Sequence, residues 1–363
     1  MINVTQSYLP SIEKYKKLVD EIFESGWITN NGPMVSRLER VLENHLGVKN
    51  VILVSNGTVA LQVAYKALGL SGEVVTTPFS FVATTSTLKW EGLSPVFADI
   101  DEKTLNINPQ EIEKKISSET SAILGVHVFG NPCDVEKIDK IAKDKKIKVI
   151  YDAAHAFGTT FKGNSVLNYG DISTLSFHAT KIFHTIEGGA IICNDDQLCA
   201  EMRKMINFGI TKPDSIESLG VNAKMNEFEA AMGLCVLDDF DTIQIKRSVI
   251  KDEYLSNLRS YFSFQSRSKG ANNSYFPVIF KSEEELLSVV EDLKKAQISP
   301  RRYFYPSLNK LDYLDDKEKS ECPISESISK RILCLPLYAG LDVKTVKRIC
   351  KIITDNLEGN REK

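Results

Sequence analysis

At 363 residues, with 42% hydrophobic and 26% charged side chains, the chain has the make-up of an ordinary globular protein with room for one large domain and a smaller companion. Its 45 Lys and Arg stand against 48 Asp and Glu, a formal net charge of -3, so the basic surplus of a nucleic-acid binder is missing and no nucleic-acid partner is expected. No apolar stretch approaches the roughly 18 residues of a membrane span, the start MINVTQSYLPSIEKYKK lacks the pattern of a leader, and seven scattered cysteines without a C-x-x-C pair argue for reduced thiols, so the expectation is a cytoplasmic protein without membrane or disulfide framework.

In chain order, short Val- and Ile-rich runs end in turn or polar residues: Val51 to Ser55, Glu73 to Thr77, Pro95 to Ile100, Ala122 to Phe129 and Lys146 to Tyr151. They read as buried parallel strands. Helical patterns separate them, among them Thr58 to Leu68, Asn108 to Ile116 and Asp134 to Lys145, each suited to a crossover. The alternation predicts an α/β doubly wound, mostly parallel sheet with its ligand site beyond the carboxyl ends of the strands. Two further strands, Ser173 to Phe177 and Ala190 to Cys193, precede a long amphipathic helical stretch from near Met225 past Val236. The mixed pattern of Asn273 to Ile279, Glu283 to Ala296 and Ile332 to Leu337 then predicts a smaller α+β domain. The expected division is 1–240 and 241–363, with the charged tail Glu358 to Lys363 a frayed end.

Three segments carry chemistry. Ser55-Asn56-Gly57-Thr58 joins a strand to a helix, where backbone N–H groups, a helix N-terminus and a hydroxyl suit a phosphate; turn and capping needs use the same residues. It matches neither G-x-G-x-x-G nor G-x-x-x-x-G-K-[ST]. Asp152, in Tyr151-Asp152-Ala153-Ala154-His155, ends an apolar strand and reads either as a helix cap or as the partner of a protonated heteroaromatic nitrogen. Lys181 follows Ser173 to Ser176 and precedes Glu187-Gly188-Gly189. An ordinary lysine, with a pKa of about 10.4, is almost wholly protonated, so a nucleophilic role requires partial burial on the same cleft edge as Asp152. His178 and His184, six apart and lacking H-E-x-x-H spacing, do not read as metal ligands, and no metal is expected.

In order and spacing these segments resemble the DegT/DnrJ/EryC1/StrS family of sugar aminotransferases over essentially the whole chain. The most specific piece, S-F-H-A-T-K-I-F-H-T-I-E-G-G-A, looks closest to the branch that aminates C4 of dTDP-4-keto-6-deoxy-D-glucose for surface polysaccharides such as O-antigen. The resemblance implies the fold-type I architecture of pyridoxal-phosphate (PLP) enzymes, PLP as cofactor, L-glutamate as amino donor, a nucleotide-linked keto sugar as acceptor, and a homodimer with active sites at the subunit interface. By position it implies Lys181 as the Schiff-base lysine, Asp152 as partner of the pyridine nitrogen, Gly57, Thr58 and Ser176 around the phosphate, and His155 beside the ring. Phe81 matches an aromatic residue that stacks on the ring, although it also reads as core. Asn222 matches a residue that reaches the neighbouring subunit's phosphate. His184, where this branch has Asn, Glu187 and Tyr305, in Arg301-Arg302-Tyr303-Phe304-Tyr305, fall at the substrate end; a plain surface loop is an equal reading of that last segment. A 3-aminotransferase or another nucleotide-keto-sugar aminotransferase is the alternative within the family, and a non-catalytic ligand-binding regulator on the same fold the alternative outside it.

Overall fold

Runs apolar on both faces are stable only where helices cover both sides of a sheet. The computed structural model, which describes residues 1–359, has that arrangement. After a short strand β1 (Ile2–Asn3) come helices α1 (Ile12–Ser25) and α2 (Pro33–Leu46). Strands and helices then alternate through β2 (Val51–Val54), α3 (Gly57–Ala67), β3 (Glu73–Thr76), α4 (Ala83–Trp90), β4 (Ser94–Phe97), α5 (Pro109–Lys115), β5 (Thr120–Val126), α6 (Val135–Lys145) and β6 (Lys148–Asp152). A hairpin of β7 (Thr160–Phe161) and β8 (Asn164–Ser165) leads to β9 (Ile172–Ser176) and β10 (Gly189–Ile192).

Seven strands pair in the order β2-β10-β9-β6-β5-β3-β4. From β9 to β4 every pair is parallel, while β10 runs antiparallel to both neighbours. The carboxyl ends of β2, β6 and β9 therefore emerge on one edge, with Gly189 held between Val54 and Ser176. Alternate side chains fill two cores: Leu53, Val75, Ile123, Val149 and Leu175 on one face, Ile52, Val74, Leu124, Ile150 and Ile191 on the other.

The expected strand to Phe129 stops at Val126, because the chain enters a 3-10 turn, Val128–Gly130, with Phe129 left-handed at φ 56°. After α7 (Asp196–Met205) and a hairpin of β11 (Ile210–Lys212) and β12 (Ser215–Ile216), the helical stretch from Met225 is two helices, α8 (Glu227–Asp238) and α9 (Phe240–Leu258). Nor is α8 amphipathic: every residue from Ala230 to Val236 is buried, since the helix packs against both α1 and α2 and keeps little solvent face. The remainder comprises β13 (Phe276–Ile279), α10 (Glu283–Lys295), β14 (Ile298–Ser299), α11 (Pro323–Arg331), β15 (Ile332–Leu335) and α12 (Val343–Gly359). β13 pairs antiparallel with β15 over a separate cluster that includes Tyr254, Phe276, Leu286, Leu333, Ile349 and Ile353. β1 adds to β14 in parallel. The charged tail beyond Gly359 lies outside the described residues.

All seven cysteines are buried and unpaired. Among the described residues no helix is long and apolar enough to cross a membrane.

Candidate active site

The strand ends on the β2/β6/β9 edge open into a cavity of about 310 Å³, at the small end of the usual range for small-molecule sites. At its phosphate-sized corner Asn56 caps α3, its Oδ1 accepting from Val59 N–H at 2.8 Å, so Gly57 and Thr58 sit in the first turn with free backbone donors nearby. Ser176, at the end of β9, faces Gly57 so closely that a Cβ on residue 57 would lie 2.9 Å from the Ser176 Cβ. Gly57 thus serves close approach of two backbones.

Asp152 ends β6 buried at the cavity floor. Its Oδ1 accepts from Ala154 N–H at 3.1 Å, the local bond of the capping reading, and its Oδ2 from Thr84 Oγ–H at 2.9 Å. Thr84 has spent its proton there, so Ser80 donates to Thr84 at 2.8 Å, extending the chain of hydroxyls. Burial raises the Asp152 pKa, against the pull of Ala154, Thr84 and Lys181 in the other direction. Lys181 lies deep in the same cavity, and its amine makes no hydrogen bond or ion pair among the described residues. Burial lowers its pKa, partly offset by Asp152 and Tyr303. An amine so placed is a far better base and nucleophile than a solvated lysine.

His155 stacks parallel to Phe304, with centroids 5.7 Å apart, and meets Tyr275 edge-on at 4.8 Å. Burial, with Lys181 nearby, pushes its pKa well below the ordinary value, so the ring is neutral. Its Nδ1 is buried without a hydrogen-bond partner among the described residues. Phe81 is 52% exposed and lines the cavity, which removes the core reading. At the mouth Glu187 Oε1 lies 3.4 Å from His178 Nε2, and His178 Nδ1 is 2.7 Å from Thr180 Oγ.

Gly57, Thr58, Phe81, Asp152, His155, Ser176, Lys181 and Glu187 thus meet around one cavity. Three residues singled out from sequence stand elsewhere. His184 is buried outside the lining, its Nε2 bonded to the Tyr8 carbonyl and its Nδ1 to Ile186 N–H, so both nitrogens are used and it does not reach the substrate end. Tyr305 turns outward beneath the Arg302 guanidinium, 3.7 Å from its ring centre; Arg301, Tyr303 and Phe304 face the cavity instead. Asn222 is exposed, in an isolated bridge with Asn207, away from this chain's cavity. The sequence reading missed Thr84, Ser80, Tyr275 and Tyr303. Tyr303 was within reach, two residues from the one chosen; Thr84 and Tyr275 carry no local signal.

The donor set fits PLP. A helix N-terminus with two hydroxyls matches a phosphate, a buried carboxylate a protonated ring nitrogen, the orphaned His155 Nδ1 a further polar atom, and Lys181 an aldehyde. The profile of the DegT/DnrJ/EryC1/StrS aminotransferase family matches residues 11–354. A dTDP-4-amino-4,6-dideoxy-D-glucose transaminase from Shigella dysenteriae is 43% identical, covering 98% of both chains. An Escherichia coli protein of the same description is 38% identical over 97% of this chain and 98% of its own. Among solved structures, DesI in the presence of its TDP-sugar product superimposes with a TM-score of 0.93 at 31% identity, covering 99% of this chain and 94% of DesI.

Proposed function

The chain belongs to the DegT/DnrJ/EryC1/StrS aminotransferase family and is a PLP-dependent sugar aminotransferase, and from that premise we propose that it moves the amino group of L-glutamate to C4 of dTDP-4-keto-6-deoxy-D-glucose, giving dTDP-4-amino-4,6-dideoxyglucose for a surface polysaccharide. The observation that carries the chemistry is the partly buried Lys181 amine, without a polar partner among the described residues, facing the same cavity as Asp152. The observation that favours this sugar is the kinship to transaminases of that description.

When bound, PLP supplies an electron-poor ring that spreads the charge left when a proton leaves the carbon bearing the nitrogen. The residues divide the remaining tasks. Gly57, Thr58 and Ser176 hold the phosphate at the N-terminus of α3. Asp152 Oδ, fixed by Thr84 and Ala154, accepts the ring N–H and keeps that nitrogen protonated. Lys181 Nζ, with its pKa lowered, takes a proton from the donor's α-carbon and in the second stage delivers one to C4 of the sugar. Phe81 and the neutral His155 flank the ring. Arg301 at the mouth presents a cation to the nucleotide's phosphates, and Glu187 an acceptor to a sugar hydroxyl.

The active unit is a homodimer in which Asn222 reaches the neighbouring subunit's phosphate. Its exposure away from its own cavity supports this, as do the exposed Phe208, Ile216, Leu219 and Val221 around it. The chain divides into a large domain, 1–240, and a small one, 241–363, with the N-terminal segment packed on the small domain. It works in the cytoplasm, where its thiols stay reduced.

The test supplies purified protein with PLP, L-glutamate and dTDP-4-keto-6-deoxyglucose and follows the product by mass and NMR. An amine on C4 is the expected outcome. Conversion only of a 3-keto sugar, or no amino sugar from any nucleotide keto sugar, would refute the assignment.

A further inference from the structure

Between β9 and β10 the backbone from Phe177 to Gly188 forms a closed loop: Phe177 N–H donates to the Gly188 carbonyl at 2.8 Å and Thr185 N–H to the Phe177 carbonyl at 2.9 Å. The loop carries Lys181 on one limb and Glu187 on the other, both open to the cavity. Between them Ile186 has φ 72°, a left-handed conformation that a β-branched residue adopts only under constraint. Ile186 is itself exposed, so packing of its side chain does not impose that conformation.

Two polar contacts do. Thr185 Oγ–H donates to the Glu187 carbonyl, and His184 Nδ1 accepts from Ile186 N–H at 3.2 Å. The other nitrogen of that ring, Nε2, lies 2.7 Å from the Tyr8 carbonyl. A carbonyl only accepts and an amide N–H only donates, so the imidazole is neutral with its proton on Nε2. Burial, which lowers the His184 pKa, agrees with a neutral ring. Tyr8 is in turn well anchored. Its segment is tied by Ile2 N–H to the Gln297 carbonyl (2.8 Å), by Leu337 N–H to the Val4 carbonyl (3.0 Å), and by the Tyr8 hydroxyl to Asp239 (3.1 Å).

We propose that His184 is a positioning residue: oriented by the Tyr8 carbonyl, its imidazole holds Ile186 in the left-handed turn and thereby aims the Glu187 carboxylate at the mouth of the cavity, where it accepts from a hydroxyl of the sugar substrate. The sugar contact rests on the aminotransferase reading above; the turn does not. His184 does this without touching substrate.

Two side chains each imitate half of the imidazole. Asn places an oxygen where His184 has Nδ1 and gives up the reach to Tyr8, whereas Gln reaches Tyr8 and loses the acceptor for Ile186. Hydrogen-exchange mass spectrometry on the cofactor-loaded full chain should show the peptide spanning residues 182–189 still protected in His184→Asn and exchanging about tenfold faster in His184→Gln. With the keto sugar, KM should rise roughly tenfold in His184→Gln with kcat within about twofold, and return near the wild-type value in His184→Asn. Equal protection in the two variants, or faster exchange in the Asn variant, overturns the turn-holding role. The expected exchange pattern with KM unchanged overturns the link through Glu187. A wild-type chain that aminates no nucleotide keto sugar removes the proposed function, and the exchange comparison still decides the role of His184.

Discussion

The floor and the mouth of the cavity are built differently. On the floor, Asp152, Thr84 and His155 are almost wholly buried, and their positions follow from the pairing of β6 and β9 and the packing of α4. At the mouth, Phe81, His178, Glu187 and Arg301 are exposed and come from loops held by a few hydrogen bonds. Burial shifts the proton affinities of the floor residues, whereas the mouth offers charge and hydrogen bonds to whatever enters. The rigid part is thus suited to tuning charge and the part with fewer constraints to meeting what enters, with Lys181 on the loop that joins the two.

Substitutions can sharpen that contrast. The largest effect is expected from Lys181→Met, which should lower kcat by roughly 10²–10⁴-fold or more, the usual worth of a positioned base together with the loss of the nucleophile. It should also leave the cofactor-free protein as stable as wild type or more so at neutral pH. The sign follows from the pKa of Lys181, which is lowered in the folded state. Stability from such a group is full above its ordinary value of 10.5 and is lost as pH falls toward the lowered one, so at neutral pH the buried amine opposes folding and an apolar replacement relieves it. Thermal melts of the cofactor-free variant across pH check this; a large fall in Tm would contradict it.

A middle effect is expected from Thr84→Val, which removes the donor to Asp152 Oδ2. A hydrogen bond to a charged group contributes about 1.5–3 kcal/mol, so PLP affinity by spectroscopic titration should drop about tenfold or more. Since that bond is one of the forces holding the Asp152 pKa down, the acid limb of the pH–rate profile should move to higher pH. The smallest effect is expected from Glu187→Gln: a rise in KM for the keto sugar of about fivefold, or ~1 kcal/mol, with the glutamate half-reaction unchanged. If Glu187→Gln were to slow both half-reactions and Thr84→Val neither, the division between floor and mouth would not stand.

The strand ends of the floor were legible in the sequence, whereas Thr84 beside them was not. Asp152 and Ser176 follow apolar runs long enough to mark strand ends, and parallel strands deliver their carboxyl ends to one edge. What sequence did not convey was orientation. Tyr303 and Tyr305 are two residues apart, yet one faces the cavity and the other lies under Arg302, a matter of loop geometry. His184 lies three residues from Lys181 and three from Glu187, yet the left-handed Ile186 and the distant Tyr8 turn it away from both. Helix α8 misled for a different reason, because a periodic pattern presumes a solvent face and its neighbours leave it almost none.

The buried thiols carry a consequence of their own. Every cysteine is a buried residue in the folded chain, and burial raises the pKa of the thiols of Cys133, Cys193, Cys199, Cys235, Cys322, Cys334 and Cys350. An alkylating reagent therefore reaches each sulfur only during an excursion that opens its surroundings. Spread from the turn just after β10 at Cys193 through α8 at Cys235 to α12 at Cys350, they act as built-in clocks, each timing how often its own region breathes.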